Sequence, residues 1–170
     1  MANETHTEQP VRSSTAFISP EALLEHWQGH RRLTHSLIEA FPEEAFFQYS
    51  VGGMRPFAAL AQEMVVMAGP GMQGIAEGTW PPLTEDSFKV KAQTKAEFLQ
   101  LWDETTEQIN TYFPKIAPER FPETITVFGM YTGTLYWSIL YFIDNEIHHR
   151  GQAYVYLRIL GLEPPPFWQR

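Results

Sequence analysis

The densest chemistry in the chain lies in one segment, Asp144-Asn145-Glu146-Ile147-His148-His149-Arg150-Gly151-Gln152. It carries imidazoles, carboxylates, amides and a guanidinium within about two and a half helical turns. On a helix, residues four apart share a face. Asn145, His149, Gln152 and Tyr156 then form one polar stripe, with Tyr141 a turn before it. Asp144 and His148 form a second pair, turned about 100° from the first. The stripe sits in a run of apolar residues, and polar groups in such a setting need partners. A metal ion, side chains of neighbouring helices, or water would each serve. A neutral imidazole nitrogen beside oxygen donors is a competent set for a divalent cation.

Other chemistry is excluded by composition. The chain has no cysteine, so disulfides, thiolate metal sites and cysteine nucleophiles are ruled out. The net charge is −8 over 170 residues, opposite to the clustered positive charge that nucleic acid or an anionic membrane demands. Gly69-Pro70-Gly71 lacks the lysine and spacing of a phosphate-binding loop, and no Gly-x-Ser-x-Gly elbow occurs. Leu135–Ile143, the most apolar run, is about half as long as a membrane span. The polar opening residues lack a signal-peptide core, which makes a cytoplasmic location the expectation.

Several residues have plainer readings. His26, His30 and His35 share a stretch with Arg31, Arg32 and Glu39 and read as solvated or rim histidines. Arg150 and Arg158 are expected to pair with acids such as Glu77 or Glu146. Gly151 reads as a site of close helix approach, and Gln152 as a partner for a buried backbone group. Met64, Met67 and Met72 read as core filler. Tyr131, Tyr136, Trp137, Tyr141 and Phe142 belong either to the core or to a dimer interface.

The elements that must position these groups are helical. Ser19-Pro20 starts the first helix and Pro42 stops it. A second starts near Pro56, is expected to kink or end at Gly69-Pro70-Gly71, and resumes over Met72–Glu77. Thr94-Lys95-Ala96-Glu97 is a capping box for a third, which ends before Pro114. The fourth spans about Thr134 to Leu160, with Gly161 as its cap. A long connection between the third and fourth holds a β-like stretch, Thr124–Phe128, too short for a sheet of three or more strands. The expectation is a flexible tail over residues 1–18 and one all-α four-helix bundle with long crossover connections over residues 19–170.

The segment Asp144–Gln152, with Tyr154-Val155-Tyr156-Leu157-Arg158-Ile159-Leu160-Gly161 after it, resembles the ending of the DinB/YfiT-like bundle proteins, close to "D-H-E-I-H-H-R-G-Q … Y-L-R-x-L-G". Gly53-Met54-Arg55-Pro56-Phe57-Ala58-Ala59-Leu60-Ala61-Gln62-Glu63-Met64 is similar to that family's "G-M-R-S-F-x-E-L-x-x-H". The likeness extends over about residues 20–163. It implies a site for one divalent metal held by three histidines, one on the second helix and two on the last. Carried onto this chain, those positions are Glu63, Asn145 and His149, of which only His149 keeps the histidine. A Glu/Asn/His set would hold metal less tightly than three imidazoles, with Mn, Fe, Ni or Zn as candidate ions. The alternative is a metal-free cluster in which Glu63 accepts a hydrogen bond from His149.

Two functions follow from the resemblance. One is a divalent-metal-dependent enzyme of the thiol S-transferase or hydrolase type, acting on a small-molecule thiol or other small ligand. The other is a non-catalytic, stress-associated binding protein. A homodimer is expected in either case, because about 24 aromatic residues exceed what one small core hides.

Overall fold

The computed structural model describes residues 18–170, so the tail expected over residues 1–18 lies outside it except for Ile18. Helix α1 (Pro20–Ala40) opens as the sequence predicts, with Ser19 Oγ accepting from the Ala22 amide and proline in the first turn. Phe41-Pro42 ends it. The carbonyls left over at that end are capped from afar: Lys95 Nζ donates to Glu39 O at 2.8 Å and to Phe41 O at 2.6 Å. A one-and-a-half-turn helix, α2 (Glu43–Gln48), follows and was not legible in the sequence. It plugs Phe46 into the core against Phe41, Phe57 and Phe98.

Helix α3 (Phe57–Glu77) runs through Pro70 without interruption, which corrects the expected break. Proline removes one amide donor, the one that would reach Val66 O. Burial of Met67, Ala68, Met72 and Ile75 on either side outweighs that loss. The flanking glycines are there for packing. A Cβ on Gly71 would lie 2.6 Å from the Phe142 ring, and one on Gly74 would lie 2.0 Å from Trp80.

Helix α4 (Lys95–Tyr112) starts with the expected cap, Thr94 Oγ1 accepting from the Glu97 amide. The connection beyond it folds into short 3₁₀ turns and an antiparallel hairpin, β1 (Thr124–Val127) with β2 (Tyr131–Thr134), paired from Thr124 opposite Thr134 to Val127 opposite Tyr131. Helix α5 (Leu135–Ile159) follows at once.

The four long helices close a ring: α1 packs on α4 and α5, and α3 packs on α4 and α5. This is the expected all-α bundle with a two-stranded appendage. Its core is two apolar clusters, one around Phe41, Phe46, Phe57 and Trp102, the other around Trp27, Met72, Ile139 and Phe142. Helix α5 carries apolar residues on more than one side. One side enters the core, while Tyr136, Trp137, Leu140, Ile147, Val155 and Ile159 stay exposed on the others. Among the described residues no helix is long and apolar enough to cross a membrane.

Candidate functional site

Glu63 lies on α3 and Asn145 and His149 lie one turn apart on α5, so the packing of those two helices brings all three together. Glu63 is the hub. Its Oε1 accepts from Asn145 Nδ2 at 3.0 Å and lies 3.1 Å from His149 Nε2. Its Oε2 accepts from Arg55 Nη2 at 2.7 Å. The His149 hydrogen bond, with those from Arg55 and Asn145, overcomes burial and holds the carboxyl down at about 2. The carboxylate can only accept, so the ring proton sits on Nε2, and on the other side of the imidazole Gln152 Oε1 is 3.1 Å from Nδ1.

Arg55 enters this cluster from the turn before α3. Gly52 and Gly53 there have φ of +59° and +78°, a left-handed path that glycine follows without strain. Tyr156, buried on α5, fixes the same turn by donating its hydroxyl to Arg55 O at 2.9 Å. The sequence passage around Gly53-Met54-Arg55 marks this turn, but charge pairing with Glu63 across eight residues of chain has no local signal.

Asn145 Oδ1 is buried and has no hydrogen-bond partner among the described residues. Beyond it, a turn back along α5, stands Tyr141, whose phenol is pushed up by burial and by the nearby Glu63 charge. Tyr141 also lines a cavity of about 80 Å³ with Met67, Val127, Tyr131, Trp137, Ser138 and Phe142. The polar cluster and this apolar cavity therefore share one wall of the cleft between α3 and α5. The aromatic residues grouped from the sequence divide here. Phe142 is core, while Tyr131, Tyr136, Trp137 and Tyr141 are about half exposed.

A second polar cluster sits deeper, between α1 and α5. Glu146 accepts from Thr34 Oγ1 at 2.6 Å and faces Arg31 Nη1 at 3.6 Å and Arg150 Nη1 at 3.7 Å. The Arg150–Glu146 pairing is as expected from the sequence. Arg31 lies flat over Trp102, 3.3 Å from the ring centre. Burial pushes it down to about 10 against the pull of Glu146.

Other expectations need correction. His30 is not a rim residue but buried, because Arg150 Nη2 reaches its Nδ1 at 2.9 Å from across the bundle. His26 is exposed and His35 is half-buried near Glu39 and Asp103, as rim histidines should be. Gly151 meets no atom within 4 Å where a Cβ would stand, so no helix approaches it closely. Gln152 serves the two histidines rather than a backbone group. His148 is exposed and lies beside Gln152, with no ion pair to Asp144. Arg158 points along the surface to Tyr154 instead of an acid. The three methionines are core, as read.

The sequence profile of the DinB family matches residues 11–169. The chain belongs to the DinB family. Solved structures agree with that placement in fold. A DinB-like protein of Bacillus cereus superposes with a TM-score of 0.66 at 18% identity, over 86% of this chain and 95% of its own. A DinB-like protein of Bacillus subtilis gives 0.67 at 21% identity, over 87% and 98%. No curated protein matches the chain.

The DinB-type metal implied by the resemblance can be tested against this donor set. Among the described residues no group of three or more His, Cys, Asp or Glu side chains is arranged to hold an ion. Asn145 turns its N–H₂, not its oxygen, toward Glu63, and reversing it would set oxygen against carboxylate. Arg55 already places a cation on Glu63. As arranged, the cluster suits an internal ion pair better than a dication.

Proposed function

We propose that this DinB-family chain binds a small organic ligand in the cleft between α3 and α5, over a polar cluster that works without a metal. One observation carries the reading: the two oxygens of Glu63 already receive Asn145, His149 and Arg55. A carboxylate with a guanidinium at 2.7 Å gains less from a divalent ion, which must first displace that cation. In this reading Glu63 is the anchor that fixes His149 and Asn145, and the half-exposed rings of Trp137 and Tyr141 form the apolar wall. The metal-dependent transferase or hydrolase reading requires Arg55 to leave Glu63 and the Asn145 amide to turn over. Both moves cost hydrogen bonds of about 1–3 kcal/mol each. The test is elemental analysis of protein purified without chelators, beside thermal unfolding with added Mn, Ni or Zn. No bound metal and no rise in melting temperature support the reading, while stoichiometric metal lost in His149→Ala overturns it.

A further inference from the structure

The outward side of α5 holds a residue that nothing within the chain explains. Gly151 is exposed in the body of the helix, and a Cβ there would meet no atom within 4 Å. A helical glycine in such a place costs about 1 kcal/mol relative to alanine. At about 100° per residue, all eleven exposed residues of α5 fall within about 80° of the direction in which Gly151 points. Seven of the eleven are large and apolar, from Tyr136 to Ile159, and the other four are Asp144, His148, Gly151 and Arg158. Three of the seven are ring residues about half exposed, and half of the roughly 200 Å² that each can bury already makes about 300 Å². With the four aliphatic side chains, the strip is at the upper end of what a monomer leaves bare.

The order of residues along the strip says what covers it. Ile147 and Val155 lie four residues either side of Gly151, and Asp144 and Arg158 lie seven either side. Two copies of α5 crossing antiparallel at Gly151 set each residue opposite the one equally far on the other side. Ile147 then packs on Val155 of the partner subunit, and Asp144 meets Arg158 of the partner subunit. The two-fold axis makes each contact twice. Among the described residues neither Asp144 nor Arg158 has an ion-pair partner, and Arg158 reaches only the carbonyl and ring of Tyr154. The two are about 21 Å apart along α5, too far to meet within one chain. The strip carries one acid and one base in a chain of net charge −8, so two copies approach there with little repulsion. The first seventeen residues of the chain are a poor cover for it, since Met1, Val11 and Phe17 are their only large apolar side chains.

We propose that α5 is a dimer seam in which two copies cross antiparallel at Gly151, with Asp144 paired to Arg158 of the partner subunit at each end. Glycine at the crossing lets the helix axes approach to about 8 Å, the short end of the usual range. An alanine methyl is tolerated there and a leucine side chain is not. Such a dimer forms whatever the cleft between α3 and α5 binds.

The experiment is sedimentation of the full chain across micromolar concentrations. The parent is expected to sediment as a dimer. Asp144→Arg and Arg158→Asp each set like charges opposite one another twice, and each should raise the dimer Kd at least about ten-fold. An equimolar mixture of the two variants brings opposite charges together at both ends. It should form a heterodimer as tight as the parent to within about three-fold. Gly151→Leu, which forces the axes apart, should weaken the dimer at least about ten-fold. All three positions are exposed, so the variants keep the fold, which circular dichroism checks. A monomeric parent overturns the proposal, because something other than a second copy then covers α5. A dimer that stays as tight in both charge variants, or that the mixture fails to restore, overturns it equally, since the crossing at Gly151 is what pairs these charges.

Discussion

Replacing Glu146 by Gln should remove a large part of the fold's stability while barely changing its shape. Glu146 is 1% exposed and, among the described residues, is the only carboxylate within 4 Å of the buried Arg31 and Arg150. At 3.6 and 3.7 Å, with an effective dielectric near 20, each attraction is about 4.5 kcal/mol. The gross loss is then about 9 kcal/mol. Returning the carboxylate's own burial cost offsets several kcal/mol of that. The net expectation is about 3–5 kcal/mol, the range found when one partner of a buried pair is deleted. For a chain of this length that is a fall of about 8–16 °C in melting temperature. Glutamine keeps an oxygen for Thr34 Oγ1, so the loss reports charge rather than a missing hydrogen bond. The assay is urea unfolding followed by tryptophan fluorescence, since buried Trp27 and Trp102 flank the network. Arg32→Ala is the control: its partner Glu25 is exposed, and a change within about 0.5 kcal/mol is expected. A loss below about 1 kcal/mol for Glu146→Gln would refute the claim that this triad is electrostatically compensated.

Acid should destabilise the protein through His30, which burial chiefly, then Arg150, Arg170 and His26, push down to about 3. The unfolded chain takes up that proton near pH 6.5 and the folded one only near 3, so the contribution is whole above about 6.5 and drains away toward 3. That loss is on the order of 2 kcal/mol, and His30→Gln should flatten that part of the stability-versus-pH curve. An unchanged curve would contradict the assignment. Gly74→Ala should cost about 1–3 kcal/mol, because the new Cβ meets Trp80, whereas Gly151→Ala should be neutral or stabilising by up to about 1 kcal/mol. Equal melting temperatures for the two variants would sink that packing argument. The outward face of α5, with exposed Leu140, Ile147, Val155 and Ile159, is expected to pair two copies of the chain. Light scattering should report a dimer that Val155→Glu splits, and a monomeric parent at micromolar concentration would count against it.

The helix ends were legible because caps are local: Ser19-Pro20 and the Thr94 box each announce a start within four residues. The meeting of Glu63, Asn145 and His149 was legible through the family resemblance and the four-residue spacing on α5. What escaped was decided across the bundle. Pro70 reads as a break, but packing on both sides of it keeps α3 whole. His30 reads as a surface residue beside Arg31 and Arg32, yet a hydrogen bond from Arg150, 120 residues away, accompanies its burial. Arg55 reads as part of a turn motif, and only the approach of α3 to its own leading turn reveals it as the cation on Glu63.

The central claim is that Glu63, Asn145 and His149 form a cluster completed by Arg55 rather than by a metal. Calorimetric titration with Zn and Mn tests it most directly, on the parent chain and on the Glu63→His, Asn145→His double variant side by side. The account predicts no saturable uptake by the parent and stoichiometric Zn binding by the variant, whose three imidazoles would meet at one point with no carboxylate left for Arg55 to hold. Tight one-to-one binding of either ion by the parent would contradict it.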